Sequence, residues 1–117
     1  MSPRVGLILA LMGGVASAAW GQEDPRVAQG KQLIGELNPR CTICHSIAGK
    51  GNPKGSLDDV GTRWKAEELK AWLRTPAEMA RKHGKTRTPA MKPYPELEEA
   101  ELDAVVAYLG SLKKPAN

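Results

Sequence analysis

Phenylalanine is absent from this chain of 117 residues, and aromatic residues make up only 4% of it. A single small domain of this length has little apolar surface to bury, and without large rings its core is thin. Something besides its side chains must then complete that core. Cysteine and histidine are scarce too, with two of each. Two cysteines allow one disulfide at most. His83 is the only histidine away from them, so no second Cys/His pair exists to complete a four-ligand zinc site. There is no βαβ pattern, which removes the usual setting of a redox dithiol. Strand-like alternation and internal repeats are missing as well. Basic residues are not interleaved with aromatics, so nothing reads as a nucleic-acid-binding stripe.

What the chain does have begins with a leader. Arg4 supplies a charged start, and Val5 to Val15 is an apolar run broken only by glycines. Ala16-Ser17-Ala18 is a small-residue cleavage motif, and Ala19-Trp20-Gly21 is a second candidate. The run falls short of the ~18 apolar residues expected of a spanning helix. Residues 1–21 are therefore expected to be a signal peptide, cleaved after Ala18 or Gly21, with residues 22–117 as the mature domain. A retained membrane anchor is the alternative reading. Export places the protein in the periplasm. Cleavage removes one of 17 basic residues and leaves 16 against 13 acidic ones. An excess of three suits docking to an acidic protein partner.

The rest of the chain is organised around Cys41-Thr42-Ile43-Cys44-His45. The C-x-x-C-H spacing is the attachment signature of a c-type haem. Each thiol can add to one vinyl group of a porphyrin, and two thioethers fix the ring. His45 is then placed under the iron, where a neutral imidazole nitrogen can ligate it. A plain disulfide would leave His45 without a role. A buried porphyrin also supplies the apolar surface that the composition lacks. The free Nδ1–H of a ligating His45 needs a carbonyl to hold the ring, and those of Asn52, Pro53 and Gly55 are candidates.

Three helices are predicted. The first runs from about Asp24, a good N-cap, through Pro25 to Leu37, and Asn38-Pro39 ends it. Val27, Gly30, Ile34 and Leu37 share one of its faces. Gly30 is costly inside a helix; either it is merely tolerated there, or another helix crosses too closely for a side chain. The second runs from about Lys65 to Arg74, with Leu69, Trp72 and Leu73 in register, and Thr75-Pro76 stops it. The last runs from about Glu98 to Leu112. Its acidic start and the following Lys113 and Lys114 match the helix dipole. Residues 46–61 read as a loop without period. Residues 76–95 read as mostly loop, with one short turn near Ala77 to Lys82. Trp64 and Trp72 are core candidates whose indole N–H groups need partners, and a haem propionate could be one. Arg63 could serve the same propionate.

A haem held by one histidine has a sixth iron position. Closed by a side chain, it suits electron transfer. Left open, it suits gas binding or peroxide chemistry. Met91, Met79 and His83 are the candidates to close it, and a thioether favours reduced iron. Met91 lies in Thr88-Pro89-Ala90-Met91-Lys92-Pro93-Tyr94-Pro95, where prolines pre-set an extended backbone. Met79 follows a helix end among charges, and His83, between Lys82 and Gly84, is expected in solvent. Met91 is the expected ligand.

Taken together, these residues resemble class I cytochrome c. They are the helix with Gly30, the Cys41-to-His45 string, Gly-Ser-Leu at 55–57, the helix with Trp72, the proline-flanked Met91, and a last helix ending Ala-Tyr-Leu at 107–109. The resemblance covers nearly all of the mature chain. It implies an all-α, small cytochrome c fold, with three main helices and loops wrapped around one covalently bound haem. It implies that the first and last helices cross beside the haem, with Tyr108 or Leu109 near Gly30. It also implies haem c joined to Cys41 and Cys44, with His45 and Met91 as axial iron ligands, and one-electron transfer in the periplasm. Three positions depart from the family. Gly55 stands where a proline is common, Lys92 separates Met91 from Pro93, and Glu98 replaces a Ser or Thr cap.

The expected function is that of a soluble periplasmic electron carrier. No catalytic acid/base set points to an enzyme. Partners would be periplasmic or membrane-bound redox proteins. They would dock on a haem edge ringed by Lys50, Lys54, Arg81, Lys82, Lys85, Arg87 and Lys92, and a monomer is favoured. The alternative is a small haem subunit of a larger periplasmic oxidoreductase. A third reading, an enzyme or sensor with open iron, runs against the proline-flanked Met91.

Overall fold

The computed structural model describes residues 24–114; the leader, both cleavage candidates and Pro115 lie outside them. Helix α1 (Pro25–Ile34) starts as its sequence dictates. The Asp24 carboxylate accepts the Arg26 N–H at 2.9 Å, and Pro25 occupies the first position, where a missing N–H costs nothing. The helix stops three residues before the expected Leu37. The N–H groups of Gly35 and Glu36 donate three residues back, to the carbonyls of Gln32 and Leu33 at 3.1 and 2.9 Å, and this tightens the last turn. Leu37 is buried all the same.

A single 3-10 turn, Cys41–Ile43, leads into a small antiparallel hairpin of β1 (Ser46–Ile47) and β2 (Lys50–Gly51). Ser46 lies opposite Gly51 and Ile47 opposite Lys50. The two turn residues, Ala48 and Gly49, both have positive φ, as a two-residue hairpin turn demands. No strand was expected here, because two-residue strands are too short to show a period of two. A second 3-10 turn (Pro53–Gly55) and the one-turn helix α2 (Val60–Arg63) complete the stretch read as loop.

Helix α3 (Ala66–Arg74) lies where predicted, and the Lys65 N–H donates to the Glu68 carboxylate at 3.0 Å at its start. Pro76 does end α3, but it is also the first residue of α4 (Pro76–Lys82). A full helix therefore replaces most of the expected turn. Pro at the first position is compatible with a new helix, because its missing N–H costs nothing there. The last helix, α5 (Glu99–Ser111), begins with the Glu98 N–H donating to the Glu101 carboxylate at 3.1 Å. Glu101 thus does part of the work of the missing Ser or Thr cap.

The core forms where α1 and α3 pack on α5. Leu102 and Val105 of α5 are wholly buried, with Leu69 and Leu73 of α3 and Ile34 of α1 around them. Gly30 marks the α1–α5 crossing. A Cβ there would overlap the Ala104 carbonyl oxygen and lie 2.8 Å from the Tyr108 Cβ. The predicted close approach is real, and Ala104 joins Tyr108 in making it. Lys70 reaches Glu99 and Asp103, each at 3.3 Å, across the α3–α5 seam. The fold is all-α apart from the hairpin, with α1, α3 and α5 as the three main helices. Among the described residues no helix is long and apolar enough to cross a membrane.

Candidate functional site

Cys41, Cys44 and His45 are brought together by one tight turn. The N–H groups of Cys44 and His45 both donate to the Cys41 carbonyl, at 3.2 and 2.8 Å. The turn is fastened from outside by Asn52. Its N–H donates to the carbonyls of Thr42 and His45 at 3.1 Å each, and its Nδ2–H to that of Ile43 at 3.4 Å. Asn52, one of three candidates to hold the His45 ring, instead holds the backbone around it.

The ring is held by Gly55, whose carbonyl oxygen lies 2.8 Å from His45 Nδ1. A carbonyl only accepts, so Nδ1 carries the proton and the Nε2 lone pair is left bare. Burial pushes the His45 pKa down. The Gly55 carbonyl resists this, and the positive charges of Arg87 and Arg63 add to the depression. His45 is therefore neutral at neutral pH, the form that ligates metal. Residue 55 has to be glycine for this approach. A Cβ there would lie 2.8 Å from the Cys44 carbonyl oxygen, 2.9 Å from His45 Nδ1 and against the Arg87 guanidinium. The residue that departs from the family's proline thus supplies the carbonyl.

Both thiols are free, Cys41 buried and Cys44 half-buried. Burial raises the Cys41 pKa, so it is a neutral thiol. Tyr94 closes over it. The Tyr94 hydroxyl donates to the Pro39 carbonyl at 2.5 Å, and its own pKa is pushed well above the usual tyrosine value, by burial first and then by the neighbouring Cys41.

The three candidates for a second ligand lie in different surroundings. Met79, five residues after the end of α3 and among charged neighbours in sequence, is on α4 and buried. Met91 is half-buried on the extended segment between α4 and α5, against the same core. That segment also brings Arg87 onto Gly55, so it reaches the neighbourhood of His45. His83 is not in solvent. Its ring stands edge-on to Trp64, 4.7 Å between centroids, and lies roughly parallel to Trp72 at 6.3 Å. The His83 Nε2 and the Trp72 Nε1 are both buried without a hydrogen-bond partner. An unmade bond at such a group costs about 1–3 kcal/mol, so this aromatic cluster fits a bound group with acceptors, as haem carboxylates are. The burial of His83 comes from the end of α4, a helix the sequence analysis had not assigned.

All seven basic residues expected around a haem edge are exposed. Ile43, beside Cys44, is 63% exposed, an unusual place for so large an apolar side chain.

Compared with known proteins, residues 27–113 match the family model described as Cytochrome c. Over 94 residues the chain is 33% identical to the cytochrome c oxidase subunit 2 of Alkalihalophilus pseudofirmus, a match that takes in 73% of this chain and 25% of that protein. The chain thus spans far less than the length of this relative. No solved structure matches significantly. The family match extends from within α1 through the whole of α5 and includes the Cys41-to-His45 turn. On that ground the chain belongs to the cytochrome c family, a family of haem-binding electron carriers.

Proposed function

We propose that this chain carries single electrons in the periplasm, on one haem c joined to Cys41 and Cys44 and held between His45 and Met91. The observation that carries the reading is the His45–Gly55 pair. It fixes the tautomer, bares Nε2 and follows directly on the turn that holds two free thiols, Cys41 and Cys44. When bound, the haem supplies an iron that is stable as ferrous and as ferric. The chain does the rest. His45 and Met91 offer two neutral ligands, and the soft thioether favours the reduced state. The Gly55 carbonyl keeps the imidazole from rotating, so little has to move when an electron arrives. The Trp72 indole N–H has no partner among the described residues and can donate to a haem carboxylate. Exposed Ile43, with Lys50 and Lys54 nearby in the chain, offers an apolar spot with basic neighbours for a periplasmic or membrane-bound redox protein with an acidic surface.

A second reading, a haem-bearing part of a larger periplasmic oxidoreductase, is supported by the likeness to a cytochrome c oxidase subunit 2. Purification under native conditions separates the two: a free carrier elutes alone, a subunit with its complex.

The ligand assignment is tested by the near-infrared methionine–iron band of the oxidised protein. Met91→Ala is expected to abolish it and to let carbon monoxide bind the reduced protein rapidly. Met79→Ala is expected to keep the band. The reverse pattern refutes Met91 as the ligand.

A further inference from the structure

The segment that carries Met91 is tied to α3 through one side chain. Arg74, the last residue of α3, donates from Nη1 to the Tyr94 carbonyl at 2.7 Å and from Nη2 to the Leu97 carbonyl at 2.5 Å. A backbone bond runs beside these, from the Tyr94 N–H to the Leu73 carbonyl at 2.9 Å. The Arg74 side chain is 27% exposed, so these charge-assisted bonds form in partly dehydrated surroundings. The Glu99 carboxylate, 3.9 Å away and 74% exposed, is too distant and too wet to draw the guanidinium off.

Tyr94 is held at its far end as well, by its hydroxyl on the Pro39 carbonyl, two residues before Cys41. Only Lys92 and Pro93 separate it from Met91, and Pro93 has a fixed φ. So short and stiff a tether leaves Met91 little freedom while Tyr94 is held. Arg74 and Met91 also line one groove of about 330 Å³, together with Pro76, Arg81 and Pro93.

We propose that Arg74 is a positioning residue for the sixth iron position: its clasp on Tyr94 and Leu97 sets how often Met91 leaves the iron. This rests on the reading of Met91 as the ligand. For Met91 to depart, the backbone from 91 to 97 has to lift, and the two guanidinium bonds have to break first. An outside ligand can bind only during such an opening, so its binding rate reports on the clasp.

The test is stopped-flow binding of imidazole to the oxidised holoprotein. Arg74→Ala is expected to bind roughly ten- to a hundredfold faster, since it loses two charge-assisted bonds, each worth about tenfold. Arg74→Lys, with one ammonium for two carbonyls, falls between. Gly30→Ala, destabilised at the α1–α5 crossing, where neither Arg74 nor Met91 is a contact of the new methyl, serves as a control for general loosening and stays near the wild-type rate. Met91→Ala, with no ligand to displace, sets the upper limit. If Arg74→Ala and Arg74→Lys bind at the wild-type rate while Met91→Ala is fast, the clasp is wrong and the ligand reading stands. If Gly30→Ala accelerates binding as much as Arg74→Ala, Arg74 is merely structural and the proposal fails. If Met91→Ala itself behaves as wild type, the ligand reading fails and takes the clasp with it.

Discussion

Replacing Gly30 by alanine sets two effects of opposite sign against each other. In an isolated helix interior, alanine is better than glycine by about 1 kcal/mol. At the α1–α5 crossing, the new methyl would lie 2.6 Å from the Ala104 carbonyl carbon and 2.8 Å from the Tyr108 Cβ. Carbon atoms rest ~3.5–4.0 Å apart, so the helices have to separate by about 1 Å. The obstacle is backbone, which cannot rotate away. Overpacking of this kind costs ~1–3 kcal/mol, and separation also loosens the packing of Ile34 on α5. Packing should win, with a net loss of up to ~2 kcal/mol after the propensity gain. For a domain of this size each kcal/mol moves the midpoint by roughly 4–8 °C. Gly110, late in α5, supplies the comparison, because a Cβ there meets nothing within 4 Å. Gly110→Ala should be neutral or stabilising. Thermal and urea unfolding of the holoproteins measure both. A more stable Gly30→Ala protein would refute the close crossing.

Two further predictions concern the site. Tyr94 holds its proton above the ordinary value near 10, so the unfolded chain releases that proton first and stability falls as pH rises past about 10. Tyr94→Phe should flatten that fall in urea midpoints taken between about pH 8 and 12, with Tyr108 keeping its own share, and should cost about 1–2 kcal/mol at neutral pH for the lost Pro39 bond. An unchanged alkaline slope would contradict the buried hydroxyl. Gly55→Ala should displace the carbonyl from His45 and weaken its hold on the iron about 10- to 100-fold, raising the midpoint of acid-induced histidine release by about one to two pH units. A midpoint at the wild-type value would show that this carbonyl does not support the ligand.

The parts of the fold that were legible are those written in local chemistry. Asp24 and Pro25 announce α1, and the spacing of Leu69, Trp72 and Leu73 announces α3. Gly30 can be read as a crossing because a helix tolerates such a glycine only for a reason. The parts that were not legible depend on partners distant in sequence. Three carbonyls could have held His45, and only the fold shows that Gly55 does. Arg74 reads only as the last residue of a helix, yet its partners are carbonyls 20 and 23 residues away. Pro76 signals both a stop and a start, and reading only the stop hid α4. With α4 hidden, His83 is expected in solvent and nothing signals the burial of Met79, whereas Met79 is buried and His83 packs against two tryptophans. α1 ends at Ile34, where only Gly35 marks the stop, and the stronger breaker Asn38-Pro39 stands just beyond it.

The central claim is that one porphyrin is covalently joined to Cys41 and Cys44. The mass of the exported, denatured protein tests it most directly. The account predicts the mass of the chain cleaved after Ala18 or Gly21 plus one haem, retained through denaturation. A mass equal to the bare polypeptide, with Cys41 and Cys44 as thiols or as a disulfide, would contradict it.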